Sequence, residues 1–307
     1  MGRLSTAIAS TFALSASALS LGGRSRYNYT LTQPSAANPL GNPAYPGYTS
    51  SNGPNWVGYL TFEYNASALL TYNFAYGGAT VDSDLVEPYE PTILSVKDQV
   101  ETEFVPGYTG SSAKAEWSGD DSIFAVWIGI NDIGYSYYNG ANATNALNTQ
   151  IFAVLLDLMN QIYDAGGRNY LFINVPPLER TPLIKPQGET AISLDAADVA
   201  DWNQRVVDLG NTLKAKNDTN VWVYDSNTVF NQILDDPTSF PQTAGLKNTT
   251  DYCAAYQNGT PSPDTLDPSC GVPVNEYFWL NNLHPTPAVH EVVAQGVADL
   301  LTAGPNI

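Results

Sequence analysis

The hydrophobic and polar residues of the chain alternate between two patterns from Trp56 onward. Short runs of consecutive apolar residues are typical of buried strands, and the clearest run is 123–129. Apolar residues recur at helical spacing over 146–165, for example at Ile151, Leu155 and Leu158. The same patterns predict further strands at 69–75, 170–175 and 221–224, and further helices at 55–64, 195–216 and 287–301. Alternating strands and helices indicate an α/β fold with a mainly parallel sheet.

Two long segments lack such a pattern. Residues 27–55 are rich in Pro, Asn, Gly and Tyr, and we interpret them as an ordered loop. Residues 240–275 are expected to form a long insertion. The only two cysteines, Cys253 and Cys270, lie in this insertion, and in an oxidising compartment they are expected to form a disulfide that holds it.

Residues 1–18 have the features of a secretory signal peptide. Arg3 supplies a positive charge, residues 4–14 are mainly apolar, and Ala16-Ser17-Ala18 offers small residues for cleavage. A membrane span needs roughly 18 uninterrupted apolar residues, and this stretch is shorter and contains Ser and Thr. We therefore predict a signal peptide at 1–18 and a single domain at 19–307, because the length does not require a second domain.

Six Asn-x-Ser/Thr sequences support export, because they are acceptors for N-glycosylation in secreted proteins. They begin at Asn28, Asn65, Asn142, Asn217, Asn248 and Asn258. Together with the signal peptide they predict a secreted, extracellular glycoprotein.

The composition excludes several classes of function. The 307 residues include 30 acidic and 12 basic side chains, which gives a formal net charge of −18 at pH 7. Such a surface repels nucleic acids and anionic membranes, so we expect neither as a partner. The chain has no Gly-x-x-x-x-Gly-Lys-Ser/Thr motif and no spaced His/Glu cluster, so we expect neither a cofactor nor a metal.

Residues that follow the predicted strands are candidates for chemistry, because ligands of open α/β sheets bind at the carboxyl ends of the strands. Gly77 and Gly78 follow the strand at 69–75. Glycine allows a backbone N–H to face a developing oxyanion, although a structural turn explains the same pattern. Asn131 follows the strand at 123–129 and can offer its side-chain NH₂ as a second oxyanion donor. The adjacent Asp132 can instead cap the loop that follows it.

The chain has only two histidines, so a histidine base would be His284 or His290. His284 lies in the loop before the last predicted helix, where it can reach a cleft. His290 lies inside that helix, where packing is the simpler interpretation. We therefore select His284.

The order and separation of these segments resemble a known family. Gly77-Gly78, Gly129-x-Asn131-Asp132 and His284-Pro285 resemble blocks two, three and five of the SGNH (GDSL) hydrolases. The segments 52–56 and 171–178 resemble linking segments of the same family, and the resemblance covers the chain from about Tyr27 to the C-terminus. It is closest to the fungal secreted acetylesterases of carbohydrate esterase family sixteen.

The resemblance implies a flavodoxin-like three-layer α/β/α sandwich and the removal of acetyl groups from small esters, including acetylated carbohydrate. It also implies that the Gly78 N–H and the Asn131 side-chain amide donate to the oxyanion. His284 is implied to be the general base.

The sequence departs from the family pattern at the first block, which normally ends in Gly-Asp-Ser and carries the nucleophile. No Gly-Asp-Ser occurs, and Ser20 and Ser25 are the serines nearest the expected position. We therefore expect the central first strand to be missing or distorted.

A second departure is Asn281, which lies three residues before His284 where the family usually has Asp. Asn281 can accept the Nδ1–H of His284 but cannot neutralise an imidazolium. A dyad, or a carboxylate from elsewhere such as Glu276, would then have to serve.

Two functions remain open from the sequence. The first is a secreted serine esterase that acts on a small acyl ester or an acetylated carbohydrate, as a monomer. The alternative is a catalytically inactive carbohydrate-binding protein on the same scaffold. Four aromatic residues near the expected cleft can stack on sugar rings or belong to the core: Tyr135, Tyr137, Tyr138 and Trp279.

Overall fold

A computed structural model describes the backbone of residues 9–15 and all atoms of residues 33–41 and 45–307. Within these residues, five strands form one parallel sheet. They are β1 (Ala9–Ser15), β2 (Leu69–Asn73), β3 (Ser122–Trp127), β4 (Asn169–Ile173) and β5 (Asn220–Tyr224). Their order in the sheet is β2-β1-β3-β4-β5.

Alternate residues of each strand point to opposite faces of the sheet. Helices cover both of these faces. The helices are α1 (Trp56–Phe62), α2 (Val96–Asp98), α3 (Val105–Tyr108), α4 (Ile130–Gly134), α5 (Ala141–Asp164), α6 (Glu189–Lys214), α7 (Ser226–Asp235) and α8 (Pro287–Ala303). A π-helical segment, Gln99–Phe104, joins α2 to α3.

Two hydrophobic clusters fill the spaces between the layers. Phe124 and Val126 of β3 pack in the cluster that contains buried residues of α5 and α6. Ala125 and Trp127 of the same strand pack in the other cluster, with buried residues of α1, α7 and α8. The predicted three-layer α/β/α sandwich with a parallel sheet is therefore confirmed. No helix in the described part of the chain is long and apolar enough to cross a membrane.

Every helix and strand predicted from Trp56 onward is present, with ends shifted by a few residues. The largest shift is at α6, which begins at Glu189 rather than at 195. The helical segments over 96–108 and α7 were not predicted. They are short. Asp225, directly before α7, accepts the Thr228 N–H with its side chain as an N-cap, a signal that is present in the sequence.

The prediction that the central first strand is missing or distorted is wrong for this structure. β1 pairs in parallel with β2 on one edge and with β3 on the other. Thr11 lies opposite both Thr71 and Ile123, and Ser15 lies opposite Trp127. β1 lies within the segment that was predicted to be a signal peptide. A short run of small and apolar residues is compatible with a buried parallel strand as well as with a signal peptide.

The position of β1 conflicts with a domain boundary at residue 18. Cleavage after Ala18 would remove a strand that is hydrogen-bonded on both edges. The signal peptide at 1–18 and the domain at 19–307 thus remain predictions, and the sheet argues against that boundary.

The insertion at 240–275 is held by the predicted disulfide. Cys253 and Cys270 are bonded, with their Cα atoms 5.5 Å apart. A small hydrophobic cluster around Tyr256 and Tyr277 packs beside this bond. Asn52 ties the insertion to the loop before α1, because its side chain donates to Thr260 Oγ1 at 2.8 Å and accepts the Thr260 N–H at 2.7 Å.

Deletion of residues 1–18 is expected to abolish cooperative folding, because β2 would lose its partner and β3 would lose one of its two neighbours. Circular dichroism during thermal unfolding would measure this. Deletion of residues 1–8, which leaves β1 intact, is the matched control. If the longer deletion unfolds at the same temperature as the control, β1 is not part of the stable domain.

Candidate active site

Two loops at the carboxyl edge of the sheet carry the predicted oxyanion donors. Gly78 follows β2, and Asn131 lies in α4 directly after β3. Since β1 lies between β2 and β3, the two loops flank the point where the chain leaves β1. The sheet topology thus places both predicted donors at one edge.

Gly78 occupies a position where no other residue fits. Its φ is +86°, and a Cβ built on it would lie 2.4 Å from Cε1 of Tyr89 and 2.9 Å from Cδ1 of Ile93. The backbone conformation and the close contact both require glycine. Among the described residues, no acceptor bonds to the Gly78 N–H.

Asn131 is buried and ties the two loops together. Its Nδ2 donates a hydrogen bond to the carbonyl of Ala79 at 2.9 Å. An amide NH₂ has two hydrogens, so one remains after this bond. Asp132 adds a second tie, because its Oδ1 accepts the Val81 N–H at 3.0 Å. Asp132 therefore fastens the loop after β2, rather than capping the loop that follows it.

The turn from β3 into α4 depends on Gly129. Its φ is +122°, and a Cβ there would lie 2.3 Å from Cε2 of Trp202, a fully buried residue of α6. Any side chain at Gly129 would displace the indole or move the start of α4. The position of Asn131 therefore depends on glycine two residues earlier.

His284 lies on a hydrogen-bonded turn before α8. The Leu280 N–H donates to the His284 carbonyl at 2.8 Å, and the Thr286 N–H donates to the Phe278 carbonyl at 2.8 Å. A β-bridge joins Trp279 to Pro285 between these two bonds. Backbone hydrogen bonds thus fix the main chain at His284.

Asn281 orients the imidazole. Its Oδ1 accepts the backbone N–H groups of Leu283 at 3.0 Å and His284 at 2.8 Å, and it lies 2.9 Å from His284 Nδ1. Because this oxygen accepts backbone donors, Nδ1 must carry the proton of the neutral ring. Nε2 is then the basic nitrogen. It is buried and has no hydrogen-bond partner among the described residues.

The surroundings of His284 favour its neutral form. Burial, with a smaller contribution from His290, lowers the pKa of His284 to about 3. Burial alone lowers the pKa of His290 to about 4. The His290 ring centroid lies 6.5 Å from that of Trp127, so the start of α8 packs against the end of β3. Among the described residues, no hydrogen bond links His284 and Asn281 to the two donor loops.

Known proteins resemble this chain in sequence over most of its length. Residues 25–297 match the GDSL-like Lipase/Acylhydrolase family. The chain belongs to this family. It is 37% identical over 285 residues to an acetylesterase of Thermothelomyces thermophilus, with 89% of this chain and 83% of that protein covered. An acetylesterase of Hypocrea jecorina is 24% identical over 282 residues, with 80% and 76% covered.

Among solved structures, the chain is similar to an acetylxylan esterase of Geobacillus stearothermophilus. The TM-score is 0.47 at 13% identity, with 95% of this chain and 94% of that chain covered. The family match over residues 25–297 and the relative at 37% identity confirm, at the level of the family, the resemblance inferred from the glycine, asparagine and histidine blocks.

In this GDSL-family protein, Glu276 does not support the histidine. Its carboxylate forms an ion pair with Lys247 at 2.8 Å. No carboxylate is hydrogen-bonded to His284 within the described residues, where Asn281 is its side-chain partner. The alternative of Glu276 is therefore wrong, and in the described part of the chain Asn281 orients the ring.

The four aromatic candidates fall into two groups. Tyr137 and Trp279 are buried and belong to the packing of the domain. Tyr138 is exposed, and Tyr135 is partly exposed at the end of α4. Tyr89, which the sequence did not single out, lies directly against Gly78. Nothing in its local sequence marks it, because only the fold brings residues 78 and 89 together.

The candidate nucleophiles Ser20 and Ser25 lie outside the described residues. β1 ends at Ser15, and the first serine after it is Ser17. Ser17 was assigned to the cleavage region of the predicted signal, so it was not considered as a nucleophile. Because β1 ends at Ser15, Ser17 lies just after the central strand in the sequence and becomes a candidate nucleophile.

A set of buried carboxyl groups lies behind the Asn131 loop. Burial raises the pKa of Asp132 to about 7, and the pKa of Asp195 to about 7 with a smaller contribution from Glu179. Burial also raises the pKa of Asp198 to about 6, against the bond it accepts from Asn148 at 2.7 Å. Neither oxygen of Asp195 has a partner among the described residues. No group of three or more His, Cys, Asp or Glu in that part of the chain is arranged to hold a metal ion.

These raised pKa values give stability a definite pH dependence. A carboxyl with a higher pKa in the folded state binds its proton more tightly there than in the unfolded chain, so stability falls as the pH rises from about 4 to about 7. These three carboxyl groups thus favour the folded state more in mildly acidic solution than at neutral pH, whereas the lowered pKa values of His284 and His290 act in the opposite direction.

Asp195→Asn is expected to raise the melting temperature at pH 7.5 by about 2 °C or more and to change it little at pH 4.5. The amide removes a buried ionisable group that must otherwise ionise at high pH. Scanning calorimetry at both pH values would measure the effect. Asp208→Asn, on the exposed side of α6, is the control. An equal rise for both variants would mean that only the net charge matters.

Asn281→Asp is expected to raise the pKa of His284 by about one unit or more, because a carboxylate beside Nδ1 favours the imidazolium. NMR titration of the two histidine rings would measure this. Asn282→Asp adds the same charge one residue away and is the control. If both substitutions move the pKa of His284 equally, the Asn281 side chain does not contact the ring in solution.

Proposed function

We propose that this protein is a serine-type carboxylic ester hydrolase that removes acetyl groups from carbohydrate. The observation that carries the proposal is His284. Its Nδ1 is fixed by Asn281, and its buried Nε2 has no partner among the described residues. An imidazole held in this tautomer is a general base for a hydroxyl nucleophile.

The geometry supports the following sequence of steps. His284 Nε2 takes the proton of a serine hydroxyl as the oxygen attacks the ester carbonyl. The Gly78 N–H and the second hydrogen of the Asn131 amide donate to the oxyanion of the tetrahedral intermediate. The imidazolium then protonates the leaving alcohol, and the acyl group stays on serine. A water molecule, deprotonated by the same nitrogen, releases the acid and restores the hydroxyl.

Asn281 affects the energetics of this sequence. An asparagine orients the ring but adds no negative charge, so the imidazolium receives less stabilisation than from an aspartate. Burial lowers the pKa of His284, so the ring stays neutral in mildly acidic solution.

Ser17 is our first candidate for the nucleophile. It follows β1 by two residues, and β1 leaves the sheet between the strands that precede Gly78 and Asn131. Ser20 and Ser25 are the alternatives, farther along the chain. The alternative of an inactive carbohydrate-binding protein was suggested by the missing Gly-Asp-Ser block. The family match and the relatives that are acetylesterases do not support it.

Two observations favour acetylated carbohydrate as the substrate. The relatives at 37% and 24% identity are both acetylesterases. The net charge of −18 disfavours approach to anionic lipid surfaces, whereas a neutral sugar ester is not repelled. The substrate is therefore an uncharged ester with a short acyl group.

We further propose that the protein is secreted and N-glycosylated with β1 and Ser17 retained, and that it acts as a monomer. Asn65, Asn142, Asn217 and Asn258 are exposed. Asn248 is half-buried, and its side-chain oxygen accepts the backbone N–H groups of Thr250 and Asp251, so it is a poorer acceptor for a glycan. Asn28 lies outside the described residues.

Substitution of His284 or Asn131 by Ala is expected to lower kcat on p-nitrophenyl acetate by about 10²-fold or more, through loss of the base or of an oxyanion donor. Among Ser17→Ala, Ser20→Ala and Ser25→Ala, the variant of the nucleophile should lose all turnover, and the others should retain it. Asn282→Ala, on the same turn as His284, is the control. Unchanged turnover in His284→Ala would contradict the mechanism.

A further inference from the structure

We propose that the N-linked glycan of Asn65 packs its first sugar on the exposed ring of Phe62 and thereby stabilises the C-terminal end of α1. This inference rests on the secretion and N-glycosylation proposed above, and it gives one of the acceptors a structural role. It does not depend on the esterase chemistry of the active site.

An exposed aromatic pair lies at the end of α1. Phe62, the last residue of the helix, and Tyr45 are each 37% exposed, and their ring centroids lie 4.4 Å apart. Single exposed hydrophobic side chains are common on protein surfaces. Two that are in contact form a small apolar patch, which favours a binding partner.

The glycan acceptor Asn65-Ala66-Ser67 begins three residues after Phe62, where the chain leaves α1. Asn65 and Ser67 are both exposed. The Asn65 side-chain amide donates a hydrogen bond to the carbonyl of Thr61, which belongs to the peptide unit between Thr61 and Phe62. The amide nitrogen, to which a glycan is attached, therefore lies next to the main chain of Phe62.

Tyr45 and Asn65 approach Phe62 from opposite ends of α1. A Cβ built on Gly58 would lie 3.2 Å from Cε2 of Tyr45, so Tyr45 packs on the helix at Gly58. Gly58 precedes Phe62 by four residues and lies on the same face of the helix. The Asn65 side chain instead reaches back from the C-terminal end. A sugar on Asn65 would thus meet the aromatic pair on the side away from Gly58.

The covalent step uses a lipid-linked oligosaccharyl diphosphate as the donor. Nδ2 of Asn65 forms a bond to the anomeric carbon, the bond from that carbon to the diphosphate oxygen breaks, and one amide proton leaves. The nitrogen keeps its second hydrogen, so the bond to the Thr61 carbonyl can be retained. The C–H face of the first N-acetylglucosamine is apolar and fits against an aromatic face.

Carboxylates border the aromatic pair. The Tyr45 hydroxyl donates to Glu63 Oε1 at 3.4 Å, and the Tyr64 hydroxyl donates to Glu291 Oε1 at 2.8 Å. This border disfavours an acidic partner. It offers hydrogen-bond acceptors to the hydroxyl groups of a neutral sugar.

The test measures thermal unfolding of the full-length protein secreted from a glycosylating host. Ser67→Ala removes the acceptor sequence but keeps Asn65 and its hydrogen bond. It is expected to lower the melting temperature by about 1.5 °C or more, through loss of one stacking contact. Trimming the glycans enzymatically to their first N-acetylglucosamine should leave the melting temperature unchanged, because that sugar makes the contact.

Asn258→Gln is the matched control, because it removes an exposed acceptor in the insertion. It should change the melting temperature by less than about 0.5 °C. A double-mutant cycle then separates the ring contact from a general effect of glycans. Once Phe62→Ala has removed the ring, Ser67→Ala should have no further effect. In protein from a host that does not glycosylate, the two substitutions should show no coupling.

Three results would overturn the inference. The first is glycopeptide mass spectrometry that finds glycans at the other acceptors but none at Asn65. The second is a loss of stability in Ser67→Ala that is the same with and without Phe62, or the same in both hosts. The third is an unchanged melting temperature in glycosylated protein that carries Ser67→Ala.

The proposed function is tested separately in the same samples. Turnover of p-nitrophenyl acetate should change less than about 2-fold in Ser67→Ala, because the acceptor lies outside the candidate active site. A glycosylated protein without turnover would contradict the proposed esterase and leave the role of Asn65 standing. Absence of glycans at every acceptor in the secreted protein would contradict both the proposed glycosylation and this inference.

Discussion

The backbone pairing of β1 is the interaction on which the rest of the site depends. β2 joins the described sheet only through β1, and β3 uses β1 on one of its edges. The loop of Gly78 follows β2 and the loop of Asn131 follows β3, so the distance between these loops is set by the strand between them. A change in the register of β1 would move one donor loop relative to the other.

Side-chain hydrogen bonds then fasten the two loops more closely than the sheet alone would. The Asn131 amide bonds to the carbonyl of Ala79, and the Asp132 carboxyl accepts from Val81. Asp132 is fully buried, and burial raises its pKa to about 7, so it remains largely protonated in mildly acidic solution. The same conditions favour the neutral state of Asp195 and Asp198. The support behind the donor loop is thus most stable where its carboxyl groups are uncharged.

The turn around His284 is consistent with the same acidic conditions. Burial keeps the pKa of this imidazole low, so the ring stays neutral when the solution is mildly acidic. An aspartate in place of Asn281 would stabilise the imidazolium and raise that pKa. An asparagine orients the ring without adding such a charge.

The sequence by itself determined the layers of the fold, the disulfide and the family, because hydrophobic periodicity, cysteine count and strand-end motifs are local properties of the chain. It also selected Gly78, Asn131, Asn281 and His284. Only the tertiary structure decided that Ala9–Ser15 forms the central strand, since an apolar run suits a signal and a buried strand equally well. It likewise excluded Glu276, separated the buried Tyr137 and Trp279 from the exposed Tyr138, and placed Tyr89 on Gly78. Contacts between residues distant in sequence depend on packing, which no local pattern records.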